Sequence, residues 1–200
     1  MKNEGLRALL DELAAIRSKL LGIDALPEAA GLLDEAAAAC AETADRLRDV
    51  RYRAAPVPPK IASCPLAAIV DTACSNSSEL LQSCGARISL TLAPDIHVLA
   101  DRHQIQRVLR TLIAEAAHNS AKLLTLTANP AGLGFVKIGV LGAAGAKAGL
   151  LDAPGHHPEA GLALSVCRAI VEAHGGQIWI EDEHGSEGRF SFLLQIAEPA

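Results

Sequence analysis

Seven histidines, five cysteines and 23 carboxylates are the residues of this 200-residue chain that could do acid–base, redox or metal chemistry. Their spacing narrows those uses. Cys40, Cys64, Cys74, Cys84 and Cys167 are odd in number and widely separated, and no C-x-x-C occurs. That spacing signals neither a zinc knuckle nor a redox pair, and buried free thiols are expected. His156 and His157 are adjacent in a stretch rich in Gly, Ala and Pro, and His174 stands directly before Gly175-Gly176. A metal site needs ligands that converge in space, and sequence offers no such convergence, so no metal site is expected. Gly161 opens an apolar helical run, where free backbone N–H groups can face an anion.

The elements that carry these residues follow from periodicity. Leu6, Leu9, Leu10, Leu13, Ile16 and Leu20 recur at three- and four-residue steps, which predicts a helix over 4–22. Gly22 stops it, and Pro27 suits the first turn of a second helix over 28–53. A hairpin of two amphipathic helices leaves apolar surface uncovered. Two copies bury it as a four-helix bundle, so a homodimer through helices 4–22 and 28–53 is expected. Pro56, Pro58, Pro59 and Pro65 mark a linker.

Beyond the linker the pattern changes to alternating helices and strands. Helices are expected over 66–82, 102–120 and 161–173, with Asp101 capping the second. Strands are expected over 87–92, 97–100, 123–127, 135–141, 177–182 and 189–196, with a turn at Asn129-Pro130-Ala131-Gly132 and a long loop over 142–158. The division is therefore 1–55 helical hairpin, 56–65 Pro-rich linker and 66–200 α+β domain, a mixed sheet with helices on one face.

Half the residues are hydrophobic and the net charge is −5. A packed core is expected, and a nucleic-acid partner, which requires a basic face, is not. No apolar run approaches the roughly 20 residues that span a bilayer, and the N-terminus lacks a signal-peptide order. A cytoplasmic protein with no membrane partner is expected.

The stretch Gly161-Leu-Ala-Leu-Ser-Val-Cys-Arg-Ala-Ile-Val-Glu-Ala-His-Gly-Gly-Gln-Ile-Trp-Ile-Glu181, followed by Gly185-Ser-Glu-Gly-Arg-Phe-Ser-Phe192, closely resembles the last third of histidine kinase catalytic domains. Asp101-Arg-His-Gln-Ile-Gln-Arg-Val-Leu-Arg-Thr-Leu-Ile-Ala-Glu-Ala116 resembles the same family's metal-binding helix. The resemblance covers residues from about 60 onward and reaches the hairpin only by position and length. It implies a sensor histidine kinase core: a dimerisation hairpin, then a Bergerat-type (GHKL) α/β sandwich shared with DNA gyrase B subunits and MutL proteins. It also implies similarity to kinase-like histidine phosphotransferases.

The resemblance implies where ATP and magnesium would sit, and each of those positions is altered. Two asparagines one helical turn apart correspond to Thr111 and Glu115. Glu115 offers a hard oxygen ligand but adds charge beside three phosphates. Asn119, a further turn along and rotated about 40°, is a candidate substitute. The first glycine box, with its adenine-binding aspartate, corresponds to Gly142-Ala-Ala-Gly145, which has no aspartate. In the second, Gly161 remains, Ala163 replaces a glycine that lets phosphate approach closely, and Glu159 replaces another. The phosphoacceptor histidine corresponds to Asp11, and no histidine precedes His97.

The expected function is a degenerate, dimeric pseudokinase that binds a two-component partner, a response regulator or a partner kinase, with no catalytic residues and no cofactor. The alternative is a histidine kinase or histidine phosphotransferase that keeps weak ATP binding or phosphorelay activity. A third is a sensor whose altered pocket takes another small ligand.

Overall fold

The computed structural model describes residues 57–118, 122–144, 158–183 and 187–198, together with Thr43, Leu47 and Tyr52. The chain divides into two compact units, Met1–Pro56 and Val57–Ala200. Helix 4–22 and Asp11 lie outside the described residues. Of helix 28–53 only Thr43, Leu47 and Tyr52 are described, and all three are helical.

The second unit runs β1 (Ala62–Pro65), α1 (Leu66–Ser75), α2 (Ser78–Ser83), β2 (Arg87–Leu92), β3 (His97–Ala100), α3 (Arg102–His118), β4 (Leu123–Gly132), β5 (Phe135–Ala144), α4 (Pro158–Ala173), β6 (Ile178–Glu183) and β7 (Glu187–Gln195). Five strands form one mixed sheet in the order β2-β4-β5-β7-β6. Only the β2–β4 pair is parallel.

Strand alternation decides which side of that sheet is dry. Leu124, Leu126 and Ala128 of β4, Val136, Ile138 and Val140 of β5, and Phe190, Phe192 and Leu194 of β7 are all fully buried. Helix α3 packs on β4 and β5, and α4 packs on β6 and β7. Helix α1 packs on α3 and forms the flank of the helical layer. The amphipathic stripe of α3 explains its seat: Ile105, Val108, Leu109, Leu112, Ile113 and Ala116 are buried, while Arg102, His103, Arg110 and His118 are exposed. This is the α+β layout expected from the sequence, a mixed sheet with helices on one face.

Several boundaries differ from those that the sequence leads one to expect. Ala62–Pro65, read as the end of the linker, pairs antiparallel with β3, from Ala62 opposite Ala100 to Pro65 opposite His97. The helix expected over 66–82 breaks at Asn76-Ser77. There the Ser77 hydroxyl donates to the Ala73 carbonyl at 2.9 Å, a side-chain bond that competes with helix continuation. The expected turn at Asn129–Gly132 moves to Leu133-Gly134, whose φ angles of 52° and 76° make a two-residue hairpin turn that matches strand twist. Pro130 is accommodated because the register shifts between it and Gly132. Strand β5 continues past Leu141 to Ala144, through a second irregularity at Gly142.

A polar junction joins the end of α4 to the start of α3. The Asp101 backbone N–H donates to His174 Nε2 at 3.0 Å. The other ring nitrogen, Nδ1, lies 2.7 Å from the Ile170 carbonyl. These two bonds set the tautomer: Nδ1–H donates and Nε2 accepts. Asp101 also caps α3, its Oδ1 accepting from the N–H groups of His103 at 3.0 Å and Gln104 at 3.2 Å. Helix α4 closes in a Schellman motif: Gly176 N–H bonds to Val171 O at 3.0 Å and Gly175 N–H to Glu172 O at 2.9 Å. Gly175 carries the left-handed φ of 72° that this motif demands.

Two predictions follow from this junction. A Cβ on Gly176 would lie 2.0 Å from the Leu193 carbonyl oxygen, a backbone atom that cannot swing aside. Gly176→Ala is expected to destabilise the domain by about 2 kcal/mol or more, measured by urea unfolding. Partial burial of Asp101 raises its pKa, but N–H bonds from Lys60, Gln104 and His103 outweigh it and hold the carboxyl below the usual range. Its stabilisation is therefore present above the ordinary carboxylate value and lost as pH falls through the lower, folded one. Asp101→Ala is expected to cost about 1 kcal/mol at pH 7. Unfolding curves of wild type and variant should converge as the medium is acidified below about pH 4.

Candidate functional site

Three neighbouring elements carry the positions that the sequence singles out: α3, the C-terminal end of β5 and the start of α4. Helix α3 packs directly on both β5 and α4. Thr111 and Glu115, four residues apart, share one face of α3. Both are half-buried, on the border between its apolar stripe and its exposed side. Gly142 is buried on β5 with a φ of 124°, at the register shift between Leu141 and Ala143. Helix α4 starts at Pro158, three residues earlier than the periodicity implied, so Gly161 lies in its first turn rather than at its first residue. The extension has a local cause, since proline suits the first position of a helix. Ala163 is half-buried on the same helix. Asn119 and Gly145 lie outside the described residues, as do His156 and His157.

The structure thus brings Thr111 and Glu115 to one helix face, with Gly142 and the Gly161–Ala163 turn on elements packed against that helix. What this arrangement offers chemically is a hydroxyl and a carboxylate on α3 and first-turn N–H groups on α4. From Val136 to Lys147 the chain contains no carboxylate. The donor set differs from the one that the family resemblance implies for magnesium and adenine. The resemblance implies two asparagines and an adenine-binding aspartate where this chain has Thr111, Glu115 and no carboxylate over 136–147. Among the described residues no group of three or more His, Cys, Asp or Glu is placed to hold a metal ion. Nor is any helix among them long and apolar enough to cross a membrane. Of the described cysteines, none of which forms a disulfide, Cys64 and Cys167 are buried, Cys74 is half-buried and Cys84 is exposed.

One polar cluster escaped the sequence reading. On the sheet face opposite the helices, Lys137 Nζ reaches Glu181 Oε1 at 2.7 Å and Oε2 at 2.9 Å. Trp179 Nε1–H donates to the same Oε1 at 2.7 Å. The ammonium also lies 5.8 Å from the Trp179 ring centroid. Burial raises the Glu181 pKa, but the bonds from Lys137 and Trp179 outweigh it and hold the carboxyl below the usual range. This cluster ties β5 to β6 across the intervening β7 and is partly solvated, worth ~0.2–1 kcal/mol. Trp179 and Glu181 are two apart on one strand, a readable sign of a shared face. Lys137 is found only once the strand order is known.

No family profile matches the chain. The sensor protein FixL of Bradyrhizobium diazoefficiens is 32% identical over 131 residues, covering 58% of this chain and 25% of FixL. The chain therefore spans about a quarter of that relative's length. Full-length ShkA, solved in complex with AMPPNP, superposes with a TM-score of 0.75 at 20% identity, over 98% of this chain and 46% of ShkA. Histidine kinase ThkA, solved in complex with response regulator protein TrrA, superposes with a TM-score of 0.69 at 16% identity, over 96% of this chain and 59% of the ThkA chain. The chain shares the fold of histidine kinase cores, and in sequence it is similar to sensor histidine kinases.

Proposed function

We propose that this chain is a pseudokinase: a dimeric, histidine kinase-like protein that binds a two-component partner and performs no phosphoryl transfer of its own. One observation carries the reading. The framework of the kinase fold is kept in detail while the positions that would do chemistry are changed together. His174 still joins α4 to α3, and Gly175-Gly176 still closes α4 against Leu193. By the family resemblance, Thr111, Glu115, Ala163 and the carboxylate-free stretch 136–147 correspond to positions that hold a nucleotide and its metal. Gradual decay without selection would touch both sets.

The electrostatics point the same way. A magnesium triphosphate site gains from neutral oxygen ligands, because each added anion repels the phosphates. Glu115 adds an anion and Thr111 supplies a single hydroxyl. Adenine selectivity rests on a hydrogen-bond acceptor that 136–147 lacks. A site without such a polar partner discriminates poorly. The residues present do not suit ATP with magnesium.

The output is then occupancy and orientation. Residues 4–22 and 28–53 supply the dimer interface and the surface for a response regulator or partner kinase, in a cytoplasmic setting. ThkA, solved with TrrA, supports a response regulator as the class of partner. The competing reading is a kinase or histidine phosphotransferase with weak ATP binding or relay activity. Its support is Gly161 in the first turn of α4 and the oxygen ligand of Glu115. Asp11 stands at the acceptor position in either case, and a carboxylate has no imidazole nitrogen to phosphorylate.

Two measurements test this. Calorimetric titration of the full chain with ATP and magnesium is expected to give no heat of binding up to millimolar nucleotide. Micromolar affinity favours the competing reading. Sedimentation of the full chain is expected to show a dimer, and deletion of residues 1–53 a monomer. A dimer that survives the deletion places the interface elsewhere.

A further inference from the structure

The segment that leads into the domain is held in an unusual way. Val57, Pro58 and Lys60 are exposed, Val57 at 52%, and neighbouring Ile61 is 47% exposed. Burial of apolar surface therefore contributes little to its position. Pro58 and Pro59 have no N–H to donate, which removes two of the backbone bonds that a four-residue segment would otherwise have available.

What ties the segment down is a pair of bonds to the start of α3. The Lys60 N–H donates to Asp101 Oδ2 at 2.9 Å. The Gln104 side-chain Nε2–H donates to the Val57 carbonyl at 3.0 Å. Asp101 and Gln104 sit at the cap and in the first turn of α3. Asp101 divides its two oxygens between tasks: Oδ1 caps the helix and Oδ2 holds the segment. The two prolines keep the released segment extended, so little conformational freedom is gained on release or lost on return.

We propose that Val57–Lys60 is a releasable strap, latched to the N-terminal end of α3 by the Asp101 carboxylate and the Gln104 side-chain amide. Opening the latch leaves β1 paired with β3 and frees four residues, a span of about 13 Å when extended. A group that competes for Asp101 Oδ2 or for the Gln104 amide would thus open the strap. The inference rests on the two bonds and not on the pseudokinase reading, and it stands whether or not the protein binds nucleotide.

The division of labour at Asp101 supplies a selective test. In Asp101→Asn the amide oxygen can still cap α3, since Asn and Asp are equivalent N-caps. Its NH2 group then faces the Lys60 N–H, donor against donor. Gln104→Glu likewise replaces the donor to Val57 O by an acceptor at constant shape. The readout is limited trypsin digestion of the full chain, following the fragment that begins at Ile61. Cleavage after Lys60 reports opening of the strap, because proteolysis tracks the open population when closing is fast.

Each variant is expected to raise the initial rate at Lys60 about fivefold, the factor for losing one net hydrogen bond. Cleavage after Arg110 in α3 and Arg168 in α4 should be unchanged. The double variant should exceed either single one. Unchanged cleavage at Lys60 in both variants overturns the proposal. So does a rise shared equally by Arg110 and Arg168, since that reports loosening of the whole domain.

Discussion

A buried imidazole with both nitrogens engaged is the constraint on which the helical layer of this domain depends. His174 joins two backbone segments far apart in sequence: the last turn of α4, through the Ile170 carbonyl, and the first residue before α3, through the Asp101 N–H. The bond fixes where α3 begins and the Asp101 carboxylate fixes how it begins, so the two act in series. Gly176 completes the arrangement by letting the chain pass against the Leu193 carbonyl. Placement of Thr111 and Glu115 is a consequence: they sit where they do because α3 is anchored at one end and its apolar stripe is pressed onto β4 and β5 along its length.

That mechanical frame and the chemical positions answer to different physics, which is why they can diverge. The frame depends on shape, on backbone bonds and on apolar alternation, and each of its parts is present. A nucleotide site depends on the sign and type of a few atoms. Exchanging a neutral amide for a carboxylate changes little in packing at a half-buried helix face, and much in the field that a triphosphate meets. A chain can therefore keep the kinase architecture while the character of its site changes, and fold alone does not decide activity.

Much of this was legible in the sequence, and the reasons differ by element. Strands β2 and β3 and the cap at Asp101 were readable because period-two alternation and an Asp before an apolar helix are local signals. The Gly175-Gly176 stop was local too. The role of His174 was not: its partners Asp101 and Ile170 meet it only after α3 and α4 pack. Strand β1 was hidden among prolines, since its pairing with β3 is a long-range fact. The hairpin tip at Leu133-Gly134 was masked by a stronger turn signal at Asn129-Pro130, which the strand absorbs through a bulge. At the site, the identities of Thr111, Glu115, Gly142, Gly161 and Ala163 were readable by resemblance. The exposure of Thr111, Glu115, Gly142 and Ala163, and the extension of α4 back to Pro158, required the fold.

The proposed loss of phosphoryl chemistry is decided by incubating this chain with magnesium and γ-labelled ATP and following label on the protein over hours. No covalent label above that of a heat-denatured control is expected. Stoichiometric label on the folded chain would contradict it, and its stability to acid or alkali would identify the residue that received the phosphate.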